Sequence, residues 1–380
     1  MKKMFLLVFI LASFIACKND TTTKSQGEQH TDKEHESTDG KASASAKESK
    51  HLILEGETHF KSLKQVTFGG DNAEAYWSFD DSKLVFQAKN EAWNAPCDQI
   101  YVTDVDQIWP KGKIPQLVST GKGRTTCSYF LPGDTTILYA STHLAGDACP
   151  PMPEKRKDYV WPIYPSFDIF VADLKGNMKK QLTKTPGYDA EATVSPKGDK
   201  IVFTSMRTGD LELFTMDIDG SNVKQVTSEL GYDGGAFFSP DGKELIFRSS
   251  RPKTPEAIKK YKDLLAEGLV MPTHMELYIC NVDGSNLRQI TSLGGANWAP
   301  FFHPSGKKVI FASNHEYKRG FPFNLYMINA DGTGLEKITA SGMFDAFPVF
   351  SNNGKYLVFS SNRNNGGGHD TNFFIAEWQD

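Results

Sequence analysis

From Lys180 to Arg251 the chain alternates apolar and polar positions in short runs, each closed by a turn. Ala192 to Val194 is apolar and ends at Pro196-x-Gly198. Lys200 to Thr204 alternates as KIVFT, and Leu211 to Met216 alternates as LELFTM until Asp219-Gly220. Val223 to Thr227 makes a fourth run. Short runs of period two predict strands rather than helices. The turns pair Gly with Asp, Ser or Pro, residues that accept positive φ or preset a tight bend. Four such strands make one antiparallel unit, apolar on both faces, that must be buried between neighbours.

The unit returns. Gln181-Leu182-Thr183 reappears as Gln225-Val226-Thr227, Tyr188-Asp189 as Tyr232-Asp233, and Ser195-Pro196-Lys197-Gly198 as Ser239-Pro240-Asp241-Gly242, a period of about 44 residues. Further copies carry VIFAS at 309–313 with NLYMI at 324–328, and LVFSS at 357–361 with FFIAE at 373–377. Upstream, ILYAS at 137–141 pairs with DIFVADLKG at 168–176, and LVFQA at 84–88 with QIYVTD at 99–104. The expected fold is all-β: a six-bladed β-propeller of four-stranded antiparallel blades. The sixth copy has three strands, while SLKQVT at 62–67 is a fourth strand with no blade before it. That N-terminal strand is expected to complete the last blade and close the ring.

The unit Gln-[Leu/Val/Ile]-Thr, then Ser-Pro-Asp-Gly-Lys, an apolar strand ending Ser-x-Arg, and Leu-Tyr/Phe-x-Met before Asp-Gly resembles the TolB-like, WD-type β-propeller repeat. The motif covers residues 181–363 and, in degenerate form, 62–180. The resemblance implies a periplasmic interaction partner in envelope maintenance. The family's α/β domain has no counterpart in the polar segment expected at 18–51, so a binding role follows from the resemblance and a place in the same machinery does not. Propellers host many chemistries, so function must come from particular positions.

Lys2-Lys3 followed by the apolar run Phe5 to Ile15 reads as a secretory signal over 1–17, too short for a spanning helix. Phe14-Ile15-Ala16-Cys17 resembles a bacterial lipobox, a resemblance that implies Cys17 as the lipidation site. By resemblance to lipoprotein sorting rules Lys18 after it argues against inner-membrane retention, so an outer-membrane lipoprotein facing periplasm or cell surface is expected. Residues 18–51 carry almost no large apolar side chain and read as a disordered tether with a mean reach on the order of 30 to 35 Å. The domain itself is expected over 52–380. With 39% hydrophobic residues and a net charge of -4, nothing points to nucleic acid, and a monomer attached to the membrane through its lipid alone is expected.

In a four-stranded blade the first–second and third–fourth turns lie on one face and the remaining loops on the other. All the long insertions (89–98, 142–167, 251–275, 314–323 and 362–372) therefore share one face, where binding is expected. In blade 4, Thr254-Pro255 followed by Ala257, Ile258, Tyr261, Leu264 and Leu265 predicts a short helix ending at Gly268, either plugging apolar surface or acting as a lid. Tyr159 and Trp161, in the Pro-rich loop of blade 2, are candidate recognition residues. Cys97, Cys127 and Cys149 all fall on the insertion side. One disulfide among them is expected, its pairing open, with a three-thiolate metal site as the alternative. Cys280 is expected as a buried free thiol.

Aligned copies place Glu74, Thr125, Asp189, Asp233, Asn297 and Asp345 at the start of the innermost strands, with Arg207, Arg251, Arg363, His143 and His315 past the second strands. Two readings follow. In one, each acid caps a turn and pairs with an arginine. In the other, Glu74, Asp189, Asp233 and Asp345 form an acidic ring that selects a basic peptide end or a cation such as calcium, the one cofactor considered. No Gly-x-Ser-x-Gly, His-Glu-x-x-His or phosphate-loop motif occurs. The leading expectation is a lipid-anchored envelope module that binds protein or peptide. The alternative is a hydrolase or lyase acting on a glycan or peptide, with His143 and His315 beside the channel mouth.

Overall fold

The computed structural model describes residues 51–317 and 320–380; the expected leader, Cys17 and residues 18–50 lie outside the described residues. Six four-stranded antiparallel sheets form six blades. Their inner strands are Asp71–Trp77, Thr125–Phe130, Asp189–Val194, Asp233–Phe238, Asn297–Phe302 and Asp345–Phe350, and these touch one another in order around the axis.

The repeated sequence has a physical reading at each position. The second strand of every blade carries one aromatic residue at its centre: Phe86, Tyr139, Phe203, Phe247, Phe311 and Phe359. All six are fully buried and fill the space between blades. The Gln-x-Thr end of each unit explains how the short outer strand is held. Thr183, Thr227, Thr291, Thr339 and Thr67 each accept a hydrogen bond from a third-strand backbone N–H at 2.8 to 3.0 Å, and Ser119 does so in blade 1. The hydroxyl replaces a ladder partner where the outer strand turns away.

The sixth blade is closed from the other end of the chain. Phe60–Gln65 pairs antiparallel with Asn372–Trp378, from Phe60 opposite Trp378 to Gln65 opposite Phe374. The closing strand begins two residues before the expected one. Ahead of it, buried Glu57 meets Arg363 of the same blade, so the seam is locked by charge as well as by backbone.

The insertions share one face. Helix α1 spans Pro255–Ala266, with Thr254 as its N-cap accepting from Ala257 N at 3.2 Å. After it, Leu269–Val270 pairs with Trp161–Pro162 of the blade 2 loop, so two insertions join in a small sheet of their own. A disulfide links Cys97 to Cys149 and ties the blade 2 loop to blade 1. Cys127 and Cys280 are free and buried. With two of its three sulfurs in a disulfide, the three-thiolate metal site is not formed. No helix among the described residues is long and apolar enough to cross a membrane.

Candidate functional site

Each inner strand contains one irregularity in its pairing with the second strand. At each irregularity sits a residue with positive φ: Glu74, Cys127, Glu191, Gly235, Ala299 and Phe347. An extra residue of this kind bends the strand and re-aims one side chain. Here the six positions, one per blade, all line a single axial cavity of about 400 Å³ on the insertion face. Left-handed backbone costs a non-glycine residue roughly 1–2 kcal/mol, and five of the six carry it.

The walls are aromatic, with Tyr76, Tyr188 and Tyr232 among them. Trp161 forms the roof. Its ring lies 5.1 Å from that of Trp298, whose Nε1 donates to Pro272 O at 2.7 Å. Tyr159 and Phe321 meet edge-on at 5.2 Å, so loops of blades 2 and 5 complete the rim. Phe237, packed against Tyr76 and Phe301, closes the inner end and separates this cavity from a second, apolar one of about 320 Å³ on the tight-turn face.

Charge inside the cavity is unevenly compensated. Glu191 accepts hydrogen bonds from Tyr232 OH at 2.6 Å, Thr204 Oγ1 at 2.7 Å, Gly235 N at 2.9 Å and Arg248 Nη2. Burial opposes its ionisation, but Arg248, Tyr232 and Thr204 outweigh burial and hold the carboxyl below its ordinary value. The adjacent glycines make this pair possible. A Cβ at Gly234 would lie 2.3 Å from Glu191 Oε2, and one at Gly235 would lie 1.8 Å from Arg248 Nη1. Arg248 also stacks over Tyr232 at 5.0 Å and Trp161 at 5.5 Å. A second pair, Asp98 with Arg124 at 2.5 Å, sits at the cavity edge. Glu74 has no such partner. Its Oε2 is shielded from solvent without a hydrogen bond, and burial, with Glu191 and Asp98 adding to it against Cys127 and Arg248, pushes the carboxyl up to about 7. Burial, with Glu74 and Glu191, also pushes the Cys127 thiol well up, so it stays protonated.

The expected acidic ring is not brought together. Glu74 reaches the axis, but Asp189, Asp233 and Asp345 are each held within their own blade. Asp189 is bound by Arg207 at 3.0 and 3.1 Å, Asp233 by Arg251 at 2.5 and 2.9 Å, and Asp345 by Arg363 at 3.1 Å and Ser361 at 2.6 Å. Asn297 accepts from Ser313 Oγ at 2.7 Å, and Thr125 donates to Asp98 O at 2.9 Å. The alignment is the reason. Pairing registers match Asn72, not Glu74, to Asp189, while Glu74 matches Glu191, two residues farther along and inside the bulge. The calcium expectation at Glu74, Asp189, Asp233 and Asp345 loses its geometry accordingly. Among the described residues no group of three or more His, Cys, Asp and Glu is placed to hold a metal ion.

His143 and His315 occupy the arginine position of their blades. His143 bonds Ser141 Oγ through Nδ1 at 2.9 Å and packs on Phe170. His315 bonds Ser313 Oγ at 2.9 Å and packs on Tyr326. Neither lines the cavity. Tyr159 and Trp161 do. Glu191, Arg248, Tyr188 and Tyr232 were missed from sequence. Their signal was a charge inside otherwise apolar strands, AEATV and ELIFRSS, together with the paired glycines of Tyr232-Asp233-Gly234-Gly235.

A family model described as the TolB beta propeller domain matches residues 164–263. Among solved structures, a protein assigned as TolB from Agrobacterium tumefaciens superposes with a TM-score of 0.52 at 18% identity, over 82% of this chain and 91% of that one. TolB from Acinetobacter baumannii gives 0.53 at 19% identity, over 80% of this chain and 65% of its own. No curated protein matches in sequence. The chain has the fold of a TolB-like β-propeller.

Proposed function

We propose that this protein is a binding module of the bacterial cell envelope that engages a protein or peptide through the axial cavity on its insertion face. The observation that carries the reading is the cavity itself. It is walled by aromatic rings and roofed by two insertions paired to each other, and among its lining residues is Glu74, a carboxyl with an oxygen that has no hydrogen-bond partner. Concave, mostly apolar sites with a few convergent polar groups are where ligands bind. Exposed apolar side chains at the rim, Tyr159 and Phe321, offer further contact to a chain entering there. The TolB-like fold and the lipobox at Phe14 to Cys17 support an envelope location, with Cys17 as the lipid anchor to the outer membrane and the propeller acting as a monomer.

The test is photocrosslinking in intact cells with a photoreactive residue at Tyr159 or Phe321, and a control at Asp241 on the tight-turn face. The expected result is one discrete adduct from the two rim positions and none from the control. Equal labelling from all three positions overturns the reading. The rival, an enzyme acting on a glycan or peptide, relied on His143 and His315, which stand outside the cavity.

A further inference from the structure

Five charged groups line the axial cavity: Glu74, Asp98 and Glu191 against Arg124 and Arg248. Asp98 is paired with Arg124 and Glu191 with Arg248. Three carboxylates against two guanidinium groups leave one acid over, and Glu74 is that acid. Cys127 beside it favours the charged carboxyl, while Oε2 is shielded and without a hydrogen-bond partner. A buried acceptor left in this state is costly unless a ligand supplies the missing donor.

The surroundings favour a cation as that donor. Aromatic faces attract positive charge, and these walls already hold one cation, since Arg248 lies over Tyr232 and Trp161. Glu74 is a single carboxyl without an ion-pair partner at the cavity wall, which the compact point charge of an ammonium can match. At about 400 Å³ and with aromatic walls the cavity has room for a four-carbon stem, and its rim is apolar at Tyr159 and Phe321, where the rest of a peptide would lie. Building on the proposed binding role, we infer that the cavity receives a lysine side chain of a peptide partner, with its ammonium group against the Glu74 carboxyl and its stem between the aromatic walls.

This predicts coupling to protons. Glu74 faces Tyr76, Cys127, Glu191, Arg248 and Asp98, and of these Glu191 and Arg248 are locked as an ion pair. Near pH 7 the Glu74 carboxyl is partly protonated, so seating an ammonium beside it drives its proton off.

The experiment uses capped Ala-Lys-Ala and its norleucine, glutamate and arginine counterparts, with cadaverine as a free amine. Affinities are read from tryptophan fluorescence and by calorimetry in buffers of different ionisation enthalpy, on wild type and Glu74→Gln. The expected result is at least tenfold tighter binding of the lysine peptide than of norleucine, with protons released on binding at pH 7. Glu74→Gln abolishes both the preference and the proton release. Equal binding of lysine and norleucine, tighter binding of glutamate, no proton release by wild type, or no peptide binding at millimolar concentration each overturns the inference. Cadaverine binding as tightly as the peptide overturns the peptide source. If Glu74→Gln melts early, the proton release of the wild type still decides. The two proposals separate in cells: a Tyr159 adduct that persists unchanged in Glu74→Gln keeps the binding role and sinks the lysine assignment.

Discussion

Arg363 holds Glu57 through two hydrogen bonds, Nη1 to Oε2 at 3.0 Å and Nη2 to Oε1 at 2.9 Å, across a separation of 306 residues. The same guanidinium reaches Asp345, so a single buried cation joins the chain ahead of the first strand to the last blade. Glu57 is 3% exposed and Arg363 5%. Glu57→Ala should strand that charge beside one carboxylate and lower unfolding stability by about 3 kcal/mol or more. Chemical denaturation measures it. Deletion through Gln65 should go further, exposing the edge of Asn372–Trp378 and causing aggregation visible by light scattering. A Glu57→Ala protein as stable as wild type would show that strand pairing alone closes the ring.

Glu74 makes stability depend on pH. Its carboxyl is raised by burial from an ordinary 4.5 to about 7. A carboxyl raised on folding contributes fully below its unfolded value, and that contribution is lost as pH rises through the folded value. The loss here lies between about pH 4.5 and 7 and is on the order of 3 kcal/mol. Glu74→Gln should therefore match wild type at pH 4 and melt higher at pH 8. A mutant that melts lower at both values contradicts the account.

Asp189 and Asp233 are bound by arginines of their own blades, so their removal strands guanidinium groups instead of relieving repulsion. Asp189→Asn with Asp233→Asn should destabilise by ~2–4 kcal/mol per pair. Melting of both proteins should ignore calcium and chelator alike. A calcium-dependent rise in wild-type melting, absent from the double mutant, would instead return a cation to these positions.

The disulfide between Cys97 and Cys149 spans 52 residues and anchors the loop that carries Tyr159 and Trp161. Replacing both cysteines with alanine should cost about 2–4 kcal/mol and loosen the roof, which protease cleavage within 150–160 reports. Cys127 and Cys280 are buried with their thiols raised by burial, so in protein lacking residues 1–17 neither should react with a thiol reagent until denaturant is added. Rapid modification of Cys127 in the native state would mean that the roof opens freely.

The repeat alone determined the blades, the closing strand and the helix after Thr254, because those depend on local periodicity, turn residues and caps. Even the shared face of the insertions followed from counting strands. The site was legible only in part. Glu74, Tyr159 and Trp161 line the axial cavity, whereas Asp189, Asp233 and Asp345, placed at the axis from the repeat, pair with arginines of their own blades, as the first of the two readings had it. The error is one of register. A bulge shifts which residue of the inner strand points at the axis, and nothing in an alternating pattern marks an extra residue that adopts positive φ. Glu191 and Arg248, 57 residues apart and on different blades, likewise meet only when the blades close around the axis. Which acid is left without a partner is a property of the whole set of charges in the cavity, so only the tertiary structure could single out Glu74.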